Sequence, residues 1–506
     1  MTTLFRPDSV AVSVSANAAA QAALRGVGLI RNVVLAWLID PAQYGLFGIA
    51  MLVLNLLLPL CSLGLYEGIA RYTPVYELDG TASRFARRVV LASMALAGAV
   101  TAAVLLGSGW IGPWAFSQVS AVAAAEAAAS QAEAVSLMRA STLCALTLAM
   151  YHVMVAFLRG LRMFRVIALA ELATALVFTA SAIAAAGLGF GRAIVPIGCY
   201  AAANVASIVL LAPALRRAMH RLPPPGTRAA RAPGPRLAAV LRFSLWSAGT
   251  AAAWNAMLFL PAWYLLRAVD RPTAGYFFGT RLIPHMVQYA GALLVSVVYA
   301  HATRAWERDG REAAVPLLDF LTRASLIALL VGTALLSVAR PLLVRVFPDA
   351  YAAGVVAYDP LLALFMLSAV AGLLSVRLNL VERSSRVCIS WAIGFAANLA
   401  AIYVLLEPRP GLSVVTAAQA LTGAAWAGVL GVAAACAAML VLVRPHRLSP
   451  DGRTWVLILA ALAPAFGRVP AVTATAIVVA LALAGRVVID PDERKRILGP
   501  LRARWR

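Results

Sequence analysis

The chain has 506 residues, of which 62% are hydrophobic and only 13% are charged, and its formal net charge is +22. Its mean hydropathy of +0.85 excludes a soluble globular protein, because a soluble chain of this length needs more polar surface to cover its core. The excess of arginine does not indicate nucleic-acid binding, since the cytoplasmic loops of membrane proteins also collect basic residues.

Apolar runs of about 20 residues recur along the chain, and each is long enough to cross a bilayer. The predicted fold class is all-α: a polytopic integral membrane protein with about 14 transmembrane helices, in two six-helix lobes around a central cavity plus a C-terminal helix pair. The predicted spans cover residues 14–38, 45–69, 88–109, 138–158, 164–188, 193–214, 241–266, 275–300, 315–339, 357–379, 385–406, 414–443, 454–467 and 470–486. The first run lacks a signal-peptidase cleavage pattern, so we predict that it remains as a span.

Most of the 43 Lys and Arg residues fall in loops that lie in the cytoplasm when both termini are inside. This bias predicts an N-in, C-in topology and therefore an even number of spans. The predicted domains are an N-terminal lobe (1–215), a Pro/Arg-rich cytoplasmic linker (216–238), a C-terminal lobe (239–446), a terminal helix pair (447–490) and a basic cytoplasmic tail (491–506). The Ala-rich stretch 121–138 predicts an external surface helix before the fourth span.

The turn after the first span recurs in the second half of the chain. The segments Leu38–Phe47 ("LIDPAQYGLF") and Ala268–Phe277 ("AVDRPTAGYF") align at a constant offset of 230 residues. The identical pairs are Asp40 and Asp270, Gly45 and Gly275, and Phe47 and Phe277. Because both lobes start on the same side, the repeat is parallel, as in transporters whose lobes move around a central site. The two aspartates are expected to cap the helices that follow them.

Two arginines, Arg25 and Arg31, interrupt the first span. An arginine at the bilayer centre costs about 2.5–3.5 kcal/mol, so it should face protein or water. The two are about 9 Å apart along the helix axis and about 120° apart around it. Gly26 and Gly28 leave the neighbouring surface open to a ligand or a helix. With Arg281 from span eight they predict an anion site, because guanidinium groups suit phosphate oxygens.

Other interpretations of the charged residues in the spans remain open. Each arginine can instead pair with a carboxylate or extend to the membrane interface. Arg323 lies four residues after Asp319, which predicts a local ion pair within one helix. Glu67, near the cytoplasmic end of span two, is a candidate for gating or for carrying a coupling proton, or else a structural partner of an arginine. The scattered Cys and His residues predict neither a disulfide framework nor a metal site.

Several stretches resemble a known family. "AWLIDPAQYGLFGIA" and "LGLYEGIARYTPVYELDG" cover the first turn and the end of span two, Phe157–Val177 joins spans four and five, and Val344–Ser375 leads into span ten. They resemble the bacterial oligosaccharide-lipid flippases (Wzx-like) of the multidrug/oligosaccharidyl-lipid/polysaccharide exporter superfamily. The resemblance implies a non-enzymatic exporter in the bacterial cytoplasmic (inner) membrane.

Lipid II flippases (MurJ-like), which are related, carry R-x-x-G-x-x-R in span one, an arginine early in span eight and an E-G pair in span two. The matching residues here are Arg25, Gly28 and Arg31, then Arg281, and then Glu67 with Gly68. In that branch the arginines are implicated in holding the substrate diphosphate, and the resemblance implies the same role here. Asn32 stands where that branch usually has an aspartate, which favours a polyprenyl-diphosphate oligosaccharide other than lipid II.

The implied function is alternating-access transport of polyprenyl-diphosphate-linked oligosaccharide for O-antigen, capsule or exopolysaccharide biosynthesis. The implied partners are membrane lipid, a polysaccharide polymerase and glycosyltransferases, without nucleic acid. No cofactor is expected, and the resemblance implies coupling to a Na⁺ or H⁺ gradient. The alternatives are lipid II transport, drug/cation antiport, which would need carboxylates in the cavity, and a membrane glycosyltransferase or polymerase, which would need a large external catalytic loop.

Overall fold

The computed structural model describes residues 10–78, 81–117, 124–161, 163–220, 237–406 and 416–484. All regular secondary structure in these ranges is helical, which confirms the all-α prediction. The helices of the first half are α1 (Val10–Leu38), α2 (Pro41–Ser62), α3 (Leu65–Leu78), α4 (Ala82–Leu106), α5 (Ser108–Phe116), α6 (Ala124–Gly160), α7 (Phe164–Gly187) and α8 (Ile194–His220). Those of the second half are α9 (Leu237–Ala268), α10 (Arg271–Arg281), α11 (His285–Val344), α12 (Tyr358–Leu380), α13 (Ser384–Leu406), α14 (Ala417–Val443), α15 (Gly452–Ala460) and α16 (Arg468–Ala484).

In the described ranges, 10 helical segments are long and apolar enough to cross a membrane, which confirms a polytopic membrane protein. They are Pro41–Ser62, Ala82–Leu106, Ala128–Gly160, Phe164–Gly187, Ile194–Ala218, His285–Trp306, Gly310–Leu342, Asp349–Leu380, Ser384–Leu406 and Ala417–His446. The last two apolar helical segments, Gly452–Phe466 and Arg468–Leu483, are shorter than the roughly 20 residues of a typical span.

The predicted second span, 45–69, is broken in the structure. Leu63 and Gly64 adopt left-handed backbone angles, with φ of 42° and 66°, and separate α2 from α3. A Cβ on Gly64 would overlap the carbonyl oxygen of Ser244 in α9. Glycine at this position therefore satisfies both the positive φ and the close approach of the neighbouring helix.

Two other helix boundaries also differ from the predictions. The eighth span, predicted at 275–300, is interrupted between Arg281 and His285, where Pro284 cannot donate a helical hydrogen bond. Conversely, residues 124–138 of the predicted external helix and the fourth span form one continuous 37-residue helix, α6, and residues 121–123 lie outside the described residues. No proline occurs in α6 and its one glycine is the last residue, so the helix has no internal break.

The contacts divide the chain into two compact units, Met1–Gly279 and Thr280–Arg506. In the first unit α6 packs against α2, α3, α4, α5 and α8, and α1 packs against α7. Helix α9 packs against α2 and α3, so the first unit extends beyond the predicted linker. Residues 216–220 of that linker continue α8, whereas 221–236 and the predicted tail 491–506 lie outside the described residues. The two topological lobes remain a prediction.

In the second unit α12 is almost entirely buried and packs against α11 and α14. Its Arg377 is 0% exposed and donates to Asp319 of α11. Arg323, which the sequence predicted to pair with Asp319, donates to Asp451 and also lies within electrostatic range of Asp319. Arg377 of α12 therefore pairs with a carboxylate of α11, and Arg323 of α11 pairs with the carboxylate of Asp451, just before α15. These hydrogen bonds thus join different elements, and the predicted local interaction between Arg323 and Asp319 is present as an electrostatic one.

Arginines also satisfy the carbonyl groups at the end of α14. Arg311 donates to the carbonyl oxygens of His446 and Arg447, at 2.6 and 2.8 Å, and Arg386 donates to that of Leu442 at 2.9 Å. The last carbonyls of a helix lack intrahelical donors and carry partial negative charge. Part of the basic excess that the sequence analysis assigned to topology therefore has a structural role.

Candidate functional site

Arg25 lies on α1, the helix that packs along α7. Gln21, one turn earlier, donates from Nε2 to Oε2 of Glu171 in α7 at 2.7 Å. Arg25 is partly buried and lies within electrostatic range of the same carboxylate. The structure therefore places Arg25 near an acidic residue of a neighbouring helix, where its positive charge is partly balanced.

Arg31 lies further along the same helix and also faces α7. Its guanidinium carbon is 4.0 Å from the ring centroid of Phe178, and its Nε and Nη2 both donate to Oδ1 of Asn32 at 3.2 Å. Phe178 follows Glu171 by two helical turns, so the two arginines face one side of α7. The stacking and the hydrogen bonds orient the guanidinium group of Arg31.

The two glycines between the arginines border open space. A Cβ on Gly26 would have no atom within 4 Å, and one on Gly28 would meet only Nη2 of Arg31, at 4.0 Å. In the described part of the chain, therefore, no helix fills the surface beside these glycines. The backbone of α1 is therefore not tightly covered at these two positions.

Arg281 is the last residue of α10 and is 8% exposed. Glu67 lies in the first turn of α3, directly after the break at Leu63 and Gly64, and is partly buried. Tyr66 beside it is within electrostatic range of both Glu67 and Arg159 of α6. Arg281 thus ends α10 and Glu67 lies in the first turn of α3. Their roles in binding and in gating stay predictions.

Glu171 is a charged residue in a span that the sequence analysis did not select. It is the only carboxylate of α7, and it lies about 10 Å along the helix from its first residue. Electrostatic interactions connect it with Arg25 and with Arg159. A single acid in an apolar 24-residue helix is itself a signal of function, and that signal was available in the sequence.

The repeated turn forms a reciprocal contact in the first unit. A Cβ on Gly45 would lie 2.7 Å from the carbonyl oxygen of Arg271, and one on Gly275 would overlap that of Pro41. Gly45 and Gly275 are equivalent at the offset of 230 residues, and so are Pro41 and Arg271. Gly45 thus contacts Arg271, and the equivalent of Gly45 contacts the equivalent of Arg271. Such a reciprocal pair of contacts is the signature of a two-fold axis. The repeat inferred from sequence therefore relates segments that pack on each other.

Both aspartates of the repeat cap helices, as predicted. Oδ1 of Asp40 accepts from the backbone N–H of Ala42 at 2.8 Å, and Oδ1 of Asp270 accepts from that of Thr273 at 2.6 Å. These bonds satisfy N–H groups that the first turn of a helix leaves without partners. The aspartates therefore have a structural function.

A polar network surrounds the glycine contact, and we call it the Glu133 network. Glu133 of α6 accepts from Arg271 and from Gln43, both at 2.9 Å, and Arg271 also donates to Ser130 at 2.7 Å. Gln43 in turn accepts from the backbone N–H of Ala193 at 2.8 Å. One carboxylate thus connects α2 with α10, that is, the equivalent helices of the two repeats.

Among the described residues, no group of three or more His, Cys, Asp or Glu side chains could hold a metal ion. The described polar groups near α1 are guanidinium, carboxylate and amide groups. Guanidinium groups are suited to hydrogen-bond the oxygens of an anionic ligand.

The sequence profile of a family described as "Polysaccharide biosynthesis protein" matches residues 10–299, which is more than half of the chain. The chain belongs to this family. No curated protein sequence matches the chain. The family match includes the first-span arginines, the repeated turn and Arg281.

Solved structures of transporters share the fold of this polysaccharide biosynthesis family member. An outward-facing multidrug resistance MATE family transporter of the MOP superfamily matches with a TM-score of 0.64 and 14% identity, over 87% of this chain and 96% of that one. A MATE in complex with MaL6 matches with a TM-score of 0.62 and 14% identity, over 88% of this chain and 98% of that one.

A third structure is a MOP superfamily transporter from Pyrococcus furiosus, whose binding pocket is described as having reverse polarity. It matches with a TM-score of 0.61 and 14% identity, over 88% of this chain and 97% of that one. At this identity the similarity establishes the fold alone. The chain is thus a multi-pass membrane protein of a polysaccharide biosynthesis family, and its fold is the one seen in MATE transporters.

Proposed function

We propose that the protein exports a polyprenyl-diphosphate-linked oligosaccharide across the bacterial cytoplasmic membrane. The observation that carries the proposal is the pair Arg25 and Arg31, two cations on one helix beside glycines that border open space. A diphosphate is an anion with oxygens at the spacing that guanidinium groups bind in pairs. The sugar-diphosphate group would enter between the lobes while the polyprenyl chain stays in the lipid.

The charge of the site favours this substrate over a cationic drug. Arg31 is oriented by Asn32, a neutral side chain that positions the guanidinium group without cancelling its charge. A cation antiporter would need an excess of carboxylates here, whereas α7 offers one carboxylate, Glu171, against Arg25 and Arg31. The reverse-polarity pocket of the Pyrococcus furiosus transporter is a precedent for a change of pocket charge within this fold.

The first prediction tests the anion site. Arg25→Ala, Arg31→Ala and Arg281→Ala should each weaken binding of a lipid-linked oligosaccharide diphosphate by roughly 10- to 100-fold, because a hydrogen bond to a charged group contributes about 1.5–3 kcal/mol. Translocation by the purified protein in liposomes would be measured with a fluorescent lipid-linked oligosaccharide and, in parallel, with lipid II. Preference for lipid II would support the alternative substrate.

The matched control is Arg192→Ala, which removes an exposed arginine outside the predicted spans. Its translocation rate should equal that of the unmodified protein. Full activity in all three site variants would contradict the proposal that these arginines hold the diphosphate.

Two further experiments address the coupling ion and the partners. The same liposomes, prepared with a Na⁺ or an H⁺ gradient, would identify the coupling ion. Pull-down of a polysaccharide polymerase or a glycosyltransferase would test the proposed partners.

The Glu133 network supports an alternating-access mechanism. With both termini inside, the turns before α2 and α10 lie at the external face of the membrane. The contacts between these helices then close the external side, and release of the substrate outside requires that they separate. The bonds of Glu133 hold them together, and the glycine pair allows the close approach.

The second prediction concerns this closure. Glu133→Gln removes the charge that pairs with Arg271, whose side chain is 21% exposed, and should weaken the closed contact by about 1–2 kcal/mol. Amide hydrogen exchange at 41–47 and 271–277 should then accelerate about 5- to 30-fold. Glu312→Gln, at an exposed position on α11, is the control and should leave these rates unchanged. Equal exchange in both variants would show that the network does not stabilise the closed state.

A further inference from the structure

Glu171 lies in the part of the first unit that the proposed function assigns to the substrate. Its Oε2 accepts from Gln21 of α1, and Gln21 precedes Arg25 by one helical turn. The carboxylate is partly buried and interacts electrostatically with Arg25. A carboxylate in an apolar span needs such positive neighbours, and this one has them on two different helices, α1 and α6.

We propose that Glu171 is the resident counter-anion of Arg25, which the diphosphate of the substrate must displace. This inference rests on the proposed function, because it assumes that a phosphate group approaches Arg25. It assigns to Glu171 a specificity-determining role that neither the family match nor the fold assigns. A ligand with one weak negative charge would not compete with the carboxylate, whereas a diphosphate would.

The other charged and titratable groups around Glu171 fit this role. Arg159 of α6 is exposed, and it acts on Glu171 as the larger of the two neighbouring positive influences, ahead of Arg25. Tyr151 of α6 lies within electrostatic range of Glu171 and of Tyr200 of α8. Arg25 is the positive neighbour of Glu171 that lies on α1, the helix that also carries Arg31. Phosphate bound between Arg25 and Arg31 would lie close to the negative charge of Glu171, and like charges at such distances repel strongly in a low-dielectric site.

Removal of that charge should therefore tighten the binding of a diphosphate. Glu171→Gln preserves the size of the side chain and an oxygen that can accept from Gln21. Binding of undecaprenyl diphosphate to the purified full-length protein would be measured by titration in detergent. We expect Glu171→Gln to bind about tenfold more tightly than the unmodified protein. Glu171→Asp, which retains the charge, should bind like the unmodified protein.

Two comparisons isolate the role of Arg25. Glu312→Gln removes the same charge from an exposed position on α11 and should leave affinity unchanged. In the Arg25→Ala background, Glu171→Gln should give a clearly smaller gain, because the cation of α1 for which the two anions compete is absent. Thermal unfolding of each variant verifies that the fold is intact.

The outcomes separate the inference from the function on which it rests. Tighter binding by Glu171→Gln, with a clearly smaller gain in the Arg25→Ala background, supports the inference. Binding by the unmodified protein, with equal or weaker binding by Glu171→Gln, overturns the inference and leaves the proposed function in place. Absence of binding by both proteins overturns the proposed function, and the inference with it.

Discussion

Arg377→Met should lower the free energy of unfolding by about 3–5 kcal/mol, the usual effect of removing one partner from a buried ion pair. Arg377 is 0% exposed, and its Nη2 donates to Oδ1 of Asp319 at 2.5 Å. Its Nη1 donates to the carbonyl oxygen of Leu448 at 2.9 Å. Methionine fills similar volume but leaves the carboxylate of Asp319 without this guanidinium group. Thermal or denaturant unfolding of the purified protein measures the loss.

A matched control separates burial from charge. Arg383 is exposed and directly precedes α13. Arg383→Met should change the free energy of unfolding by less than about 0.5 kcal/mol. The double variant Arg377→Met with Asp319→Leu should recover much of the loss, since removal of both charges leaves no unpaired ion. A single variant as stable as the unmodified protein would show that the ion pair does not stabilise the second unit.

Gly275→Ala should destabilise the contact between α2 and α10 by about 1–3 kcal/mol or more, the usual cost of overpacking. A Cβ at this position overlaps the backbone carbonyl oxygen of Pro41, and backbone cannot move aside as a flexible side chain can. The two helices must separate at the repeated turn. Under the proposed mechanism this shifts the population toward the externally open state, and amide exchange at 41–47 should accelerate about 5- to 30-fold.

Gly45→Ala, at the equivalent position of the other repeat, should have an effect of the same sign, because its Cβ would lie 2.7 Å from the carbonyl oxygen of Arg271. Gly198→Ala is the control: it makes the same change within α8, where a Cβ would have no atom within 4 Å. That variant should be slightly more stable than the unmodified protein, because alanine favours helix. Unchanged exchange in both Gly45→Ala and Gly275→Ala would contradict the close glycine contact.

The sequence predicted the features that depend on neighbouring residues in the chain. Helical spans follow from runs of apolar residues, and the caps at Asp40 and Asp270 follow from an acceptor side chain just before a helix. The repeated turn was visible because equivalent positions keep the same residues. Arg25 and Arg31 stood out because a charge within a span is costly wherever the span packs.

Only the tertiary structure decided which side chains meet. Arg323 and Asp319 are adjacent on one helical face, yet each pairs with a residue of another element. The role of Glu171 depends on the packing of α7 along α1, and that of Glu133 depends on its contacts with Gln43 of α2 and Arg271 of α10. A helix presents every side chain at a regular angle, and the chain alone does not specify which face a distant helix will cover. The sequence by itself therefore determined where the helices form and that a charged side chain within an apolar span costs free energy. The packing of the helices determined which side chains pair with those charges.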